Sequence, residues 1–413
     1  MELRPECLEK VSRLVEKGVR IPNPLTLDIG EEVNPDLISG DDVVIYPGCR
    51  IYGSKTVISK GARLGYEGPA TIDDCQIGPK VELKGGYFSK SVFLEGSSMG
   101  LGAQVREGCI LEEQASGAHC VGLKQTILLP FVTLGSLINF CDCLMAGGTS
   151  RQDHSEVGSS YIHFNFTPDG DKTTPSLLGD VPRGVMLRER PIFLGGQGGM
   201  VGPLRIGYGN VAAAGSILRR DYPEENKLIM GKAPAGGIRN FTPGIYAGFL
   251  HIIENNVLYL ANLVALEEWY RRIRKGFFDA QELGPFIYRG AMETLSAAKK
   301  ERLKRLKAMA DKANSSASDG RDAGPRREFC EKMGAIEDIF MEKSVPTGPE
   351  GARDEFLAHF GDPIETNGAG YIGAIRELPS DIRASGVRWL EGIVSVLCGA
   401  VSERVPSLFL FKE

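Results

Sequence analysis

Residues 194–218, LGGQGGMVGPLRIGYGNVAAAGSIL, place an apolar side chain at every sixth position: Leu194, Met200, Ile206, Ala212 and Leu218. Glycine follows Leu194 and Ile206, and small or turn-forming residues fill most of the gaps. A six-residue period fits neither an α-helix, which repeats about every 3.6 residues, nor a simple strand, which alternates every two. It fits a short flat strand with one inward aliphatic, followed by a sharp corner. Three such units close one triangular turn of a parallel β-solenoid. Each inward aliphatic then stacks on its equivalent one coil away, at the spacing of about 4.8 Å between neighbouring strands. Glycine suits the corners because the chain there takes positive φ or passes close to another backbone. A Gly-rich loop with chance aliphatics does not account for five in-phase positions.

The same rhythm starts upstream near residue 41. Ile45, Ile51 and Val57 are in phase, Leu64 restarts the count one position late, and Ile72, Ile77 and Leu83 follow. Met99 and Val105 continue it, then Cys109, Ala115, Val121 and Ile127, with Leu134 beyond. The slips imply corner insertions. At about 18 residues per coil this region holds roughly eight to ten coils. The stretch 146–192 breaks the rhythm; it is polar, rich in turn residues and holds His154 and His163. Long excursions from a regular scaffold are where function concentrates.

These patterns divide the chain. Residues 1–40 form an N-terminal helical cap, with Leu8, Val11, Leu14 and Val15 on one side of a helix that covers the solenoid's open edge. Residues 41–240 form the solenoid with the inserted loop 146–192. Residues 241–313 form long helices, one over 244–276 apolar around most of its circumference and one over 290–312. Residues 314–326 (NSSASDGRDAGPR) read as a flexible linker, and 327–413 as a small helical region.

Composition narrows the function. The 413 residues carry 52 Gly and a formal net charge of −5, which gives no support to nucleic-acid binding. Nine Cys are scattered without a C-x-x-C pair, so neither a metal site nor a disulfide framework is indicated. No apolar signal core opens the chain and no apolar run reaches membrane-spanning length, which makes a reducing cytoplasm the expected compartment. Cys141 and Cys143 flank Asp142, a pattern that suits a nucleophile or metal pair less well than small core packing.

Three stretches, IHFNFTPDGDK (162–172), LGGQGGMVGPLRIG (194–207) and VAAAGSILRRD (211–221), resemble the hexapeptide-repeat (left-handed β-helix) acyltransferases. The turn IMGKAPAGGIR (229–239) looks like a lengthened version of that family's closing turn. The likeness covers roughly 41–240 and points to the acetyltransferase half of the bifunctional enzyme that makes UDP-N-acetylglucosamine. It implies a mainly β chain folded as a left-handed parallel β-helix, here with an N-terminal helix and a C-terminal α-helical region. It also implies acetyl-CoA as co-substrate, an amino sugar or its phosphate as acceptor, and a homotrimer with sites between adjacent solenoids. Two departures stand out. No Gly-rich nucleotide loop of the uridyltransferase half is present, and the stretch between Asn139 and Asn165 is shorter than its counterpart by most of a coil.

Acetyl transfer to an amine needs a base to free the amine, a donor facing the oxyanion, and a groove for the coenzyme. Histidine is the natural base near neutral pH. His154, in RQDHSEVG, is similar to the family's K-x-N-H segment, and His163 precedes the sugar-contacting loop by two residues; the choice between them, or a structural role for both, is open. By resemblance Asn165 and Phe166 match the family's Asn-Tyr, with Phe166 lacking the hydroxyl, and Lys172 falls near its phosphate-contacting Lys. Arg183, Arg188 and Arg190 are candidates for a sugar phosphate or coenzyme phosphate, since guanidinium forks match phosphate geometry; solvated surface charge is the competing account. Gly196, Ala213, Ala214 and Gly215 align with small residues beside the coenzyme A groove, although solenoid corners require small residues in any case. Arg219 and Arg220 are candidates for the coenzyme's phosphates. The rival reading is a non-catalytic solenoid that binds a sugar nucleotide or scaffolds a separate nucleotidyltransferase.

Overall fold

The computed structural model describes residues 5–231, 236–238, 240–241, 246, 248–315, 323–341, 348–360, 370–408 and 410–411. Short strands from Asp28 to Ile229 stack in parallel on three faces. Faces A and B each carry ten strands and face C eight, against the eight to ten coils that the spacing predicts. The register is the one expected from 194–218. Leu194 lies beside Ala212 on face A, Met200 beside Leu218 on face B, and Ile206 beside Leu178 on face C. Six residues therefore carry the chain one face onward, and all five aliphatics are buried.

Each face stacks one inward column. Face A runs Ile45, Leu64, Leu83, Met99, Gly117, Leu134, Val157, Leu194, Ala212 and Ile229. Volume is conserved within it: a Cβ on Gly117 would sit 2.7 Å from Cε of Met99. Two expectations shift here. In the coils at 109–128 the stacked residues are Leu111, Gly117, Leu123 and Leu128, because Cys109, Ala115 and Val121 lie two residues earlier, buried at the corners. At 57–64 the face C residue is Ile58, paired with Ile77, which accounts for the one-residue slip.

The B-to-C corners explain the Cys141-Asp142-Cys143 motif. At each corner a residue takes left-handed φ: Asp74, Lys90, Gly108, Gln125 and Asp142 at 47–82°. The next residue is small and polar, and those at four of the corners, Cys75, Ser91, Thr126 and Cys143, donate to the carbonyl two positions back. Cys143 is thus one rung of a capping column. Burial pushes its thiol well above the ordinary range, and pushes that of Cys141 to about 11, so neither is a thiolate nucleophile.

Helix α1 (Pro5–Lys17) covers the first coil with Val11 and Leu14 buried, while Val15, expected on the same side, is exposed. Lys10 and Lys17 help to hold it there. Their ammonium groups donate to the carbonyls of Gly30 and Val33, and of Pro35 and Ile38. The first solenoid strand, Asp28–Ile29, already pairs with Arg50–Ile51 and so lies ahead of residue 41.

The stretch 146–192 is a complete coil bearing three excursions. Strands Glu156–Val157, Ile162–Phe164 and Ser176–Leu178 hold faces A, B and C in turn. The excursions are a hairpin (Gly148–Ser150 with Asp153–His154), the loop 165–175, and 179–192, which contains the short helix α2 (Val181–Gly184).

Beyond the solenoid lie α3 (Phe249–Trp269), a π turn (Tyr270–Arg274), α4 (Lys275–Asp279), α5 (Gly284–Ser315), α6 (Ala323–Met341), α7 (Glu350–Phe360), α8 (Gly370–Arg376) and α9 (Ser380–Arg404). Part of the expected linker is helical at its two ends, and residues 316–322 lie outside the described residues. Face C is the docking surface: α5 packs on the strands at Gln76–Ile77, Ser91–Phe93 and Cys109–Leu111, and α3 on Ser176–Leu178. Outward-facing Val92, Ile110, Ile127 and Leu144 are buried in consequence. Helix α3 is sandwiched between face C, α5 and α9, which is why its apolar residues run around the whole circumference. The segment Phe249–Asp279 and α9 are both long and apolar enough to cross a membrane; the most apolar stretch of the former is 72% buried in the body of the protein.

Candidate active site

The hairpin 148–154 leaves the solenoid at the C-to-A corner and returns into the face A strand Glu156–Val157. Gly148 makes it possible, with φ of 102° and a virtual Cβ only 2.5 Å from Cα of His154. Nδ1 of His154 lies 2.9 Å from the carbonyl of Arg151. A carbonyl only accepts, so Nδ1 carries the proton and Nε2 presents its lone pair. Nε2 is 4.0 Å from Oε2 of Glu156, and the side chain is 19% exposed. A half-open imidazole with a fixed tautomer and a carboxylate beside the free nitrogen can accept a proton from a substrate and hold it.

At the opposite, A-to-B, edge of face A lie Gly196, Ala213, Ala214 and Gly215. The coils approach so closely there that a Cβ on Gly195 would sit 2.4 Å from the amide nitrogen of Ala214. Gly215 donates to the carbonyl of Gly196 at 3.0 Å, and a Cβ on Gly215 would meet nothing within 4 Å. The corner is a bare backbone ridge open to solvent. From His154 to Gly158, at this corner, the chain spans four residues, about 13 Å when extended. Within one molecule, His154 and the ridge occupy opposite edges of the same face. Arg219 and Arg220 are exposed at the following corner, with Arg220 stacked on Tyr222 at 5.2 Å.

His163 is elsewhere. It occupies an inward position of face B, between the ring of Phe140 (centroids 6.4 Å apart) and Met200, and is 1% exposed. Nδ1 donates to the carbonyl of Cys141 at 2.5 Å, and Nε2 accepts from Ser176, whose Oγ accepts from the amide of Leu204. Burial lowers its pKa, so the ring stays neutral. Both nitrogens are spent and no substrate reaches them, which removes His163 as the base. His163→Ala is expected to cost about 2–4 kcal/mol of stability through the cavity it leaves, measurable by denaturant unfolding.

The loop 165–175 is turned inward as well. Asn165 donates to Asp142 at 3.1 Å, and Asp142 also pairs with the buried Arg302 of α5 at 3.1 Å. Asp171 accepts from Tyr246 at 2.7 Å, Arg302 donates to the carbonyl of Lys172, and Lys312 donates to that of Asp169. Asn256 and Asn262 of α3 reach the carbonyl of Thr173 and the amide of Val181. Phe166 points to solvent at 75% exposure. The side chain of Asn165 therefore holds the fold together rather than facing a ligand.

The arginines of 179–192 divide similarly. Arg183 bonds Asp180 and Glu225, lies 3.9 Å from Glu189 and stacks over Tyr208 at 4.7 Å. Three carboxylates neutralise it, which rules against a phosphate there. Arg188 donates to the carbonyl of Arg376, and Arg190 to Asn226 at 2.7 Å; both are exposed. Nothing local in the sequence marks Arg151, Arg302 or the pairing of Asp142, whose partners lie up to 160 residues away. For His163 a signal existed: it stands six residues after the inward Val157.

Fold and repeat define the class, a hexapeptide-repeat parallel β-helix with an appended helical region. Among curated proteins the chain is similar to the bifunctional protein GlmU of Thermotoga maritima, 30% identical over 227 residues, 55% of this chain and 45% of that protein. It is similar to the GlmU proteins of Carboxydothermus hydrogenoformans (29% over 221 residues; 53% and 44%) and Staphylococcus haemolyticus (27% over 215 residues; 52% and 42%). The chain thus spans less than half the length of these relatives. No model of a known protein family matches it.

Proposed function

We propose that the chain is an acyltransferase that moves acetyl from acetyl-CoA to the amine of an amino sugar or amino-sugar phosphate, with His154 as general base. The observation that carries this reading is the imidazole of His154, with its tautomer set and Nε2 free beside face A. The free amine attacks the thioester carbonyl while Nε2 takes a proton from its nitrogen, and the tetrahedral intermediate collapses to the amide, expelling the coenzyme thiolate. The thiolate then takes the proton from the imidazolium. The bare ridge at Gly196, Ala213, Ala214 and Gly215 suits the coenzyme's extended arm, with Arg219 and Arg220 further along for its phosphates. Because ridge and base occupy opposite edges of face A, a homotrimer that sets one molecule's ridge against another's His154 would complete the site. Exposed Phe193, Val211 and Leu228 on face A and Ile217 on face B are available to such a contact, whereas face C is sealed.

Arg183, Asn165 and His163 have no part in this chemistry; Lys172, Phe166, Arg188 and Arg190 remain candidates for the acceptor. The test is thiol release from acetyl-CoA with glucosamine 1-phosphate and related amines. Amine-dependent release is expected, and its absence with every amine would refute the reading. One observation favours the rival, a non-catalytic solenoid that binds a sugar nucleotide or scaffolds a nucleotidyltransferase. The end of the loop that the resemblance marks for sugar contact is tied to α3 and α5 through the carbonyls of Thr173 and Lys172. Sugar-nucleotide binding without thiol release would establish that rival.

A further inference from the structure

We infer that Arg151 is the positioning residue that fixes the tautomer of His154; this deepens the reading of His154 as the base and rests on it. The hairpin that bears His154 pairs at only two positions, Gly148 with His154 and Ser150 with Asp153, with an irregular register between them. A two-stranded ladder of that length is marginal by itself. Arg151, at its tip, supplies the anchor. Its Nη1 lies 2.9 Å from the carbonyl of Gln114, 2.9 Å from Oγ1 of Thr133, 3.3 Å from the carbonyl of Phe131 and 3.4 Å from Oγ of Ser116. Gln114 and Phe131 are left-handed corner residues of two consecutive coils, with φ of 58° and 71°. Their amides are already bonded to Glu95 and Glu113 of preceding coils. The guanidinium therefore grips rigid backbone at the same edge of face A.

The other end of the residue does the chemistry-relevant work. The carbonyl of Arg151 is the partner of Nδ1. Side chain and carbonyl belong to one residue, so anchoring the first fixes the second. Released from that carbonyl, the ring still has the Glu156 carboxylate 4.0 Å from Nε2, which draws the proton to the wrong nitrogen.

The test is the ¹⁵N spectrum of the full chain labelled at histidine, recorded at alkaline pH where imidazoles are neutral, with His154→Ala assigning the signal. The Nδ1–H form is expected to dominate in the wild type. In Arg151→Gln its ratio to the Nε2–H form should fall about five- to tenfold, the shift expected from losing one hydrogen bond. Thr133→Val, which removes one 2.9 Å contact and leaves Arg151 in place, should shift the ratio less and in the same direction. The four other histidines report that the fold is intact. An unchanged ratio in Arg151→Gln, or a wild type already in the Nε2–H form, overturns the inference. Thiol release measured on the same samples is a separate readout: a tautomer shift without wild-type turnover would refute the catalytic role of His154 and leave the positioning role standing.

Discussion

Arg274→Ala is expected to cost about 3–5 kcal/mol, because it strands two buried carboxylates. Arg274 is 2% exposed and lies in the π turn after α3. Its guanidinium is 3.2 Å from Glu112, which is fully buried, and also bonds Glu113. Tyr270 donates to Glu112 at 2.6 Å, and the ring of Tyr371 in α8 lies 3.9 Å from the guanidinium. The cluster thus joins a solenoid corner to two parts of the helical region, the π turn and α8. In a chain of this size the thermal midpoint should fall by roughly 3–6 °C. Replacing Arg274, Glu112 and Glu113 together by apolar residues of similar volume should recover most of that loss. A midpoint unchanged in Arg274→Ala would mean the pair contributes nothing.

The same cluster gives stability a pH dependence. Burial outweighs the attraction of Arg274 and raises the pKa of Glu112 from 4.5 to about 7. The folded state therefore holds this proton more tightly than the unfolded chain. The contribution favours folding at acid pH and fades as pH rises from about 4.5 through 7. Glu112→Gln should flatten that slope, as unfolding measured across this range would reveal.

His154→Ala is expected to lower kcat for thiol release by about 10²–10⁴-fold, the usual contribution of a positioned base. Its midpoint should stay close to that of the wild type, since the ring makes one hydrogen bond to its own hairpin. His163→Ala should behave oppositely, losing stability and keeping kcat in whatever fraction remains folded. The pair separates a reacting imidazole from a core one. Equal loss of kcat in both would contradict the assignment.

The two histidines also show how far the sequence could be followed. The coils were legible because stacking demands the same kind of residue at the same phase, and Leu194, Met200, Ile206, Ala212 and Leu218 repeat it without interruption. His163 obeys that phase too, but a polar residue inside a solenoid needs Cys141 and Ser176 to satisfy it, and no local pattern announces such partners. Resemblance placed Asn165 beside a ligand, and guanidinium chemistry made Arg183 a phosphate candidate. The structure turns Asn165 to Asp142, itself paired with Arg302 of α5, and Arg183 to the carboxylates of Asp180, Glu189 and Glu225 on neighbouring corners. Arg151, Arg274 and Arg302 were invisible for the same reason: each is a surface-type residue until the partner that buries or anchors it is known.

The most direct measurement is a crystal structure of the full chain with coenzyme A bound. The account predicts density for the pantetheine arm along the ridge of Gly196, Ala213, Ala214 and Gly215, with the thiol directed at Nε2 of His154 of the same or an adjacent solenoid. Coenzyme bound away from that ridge, or its thiol remote from every His154 in the assembly, would contradict it.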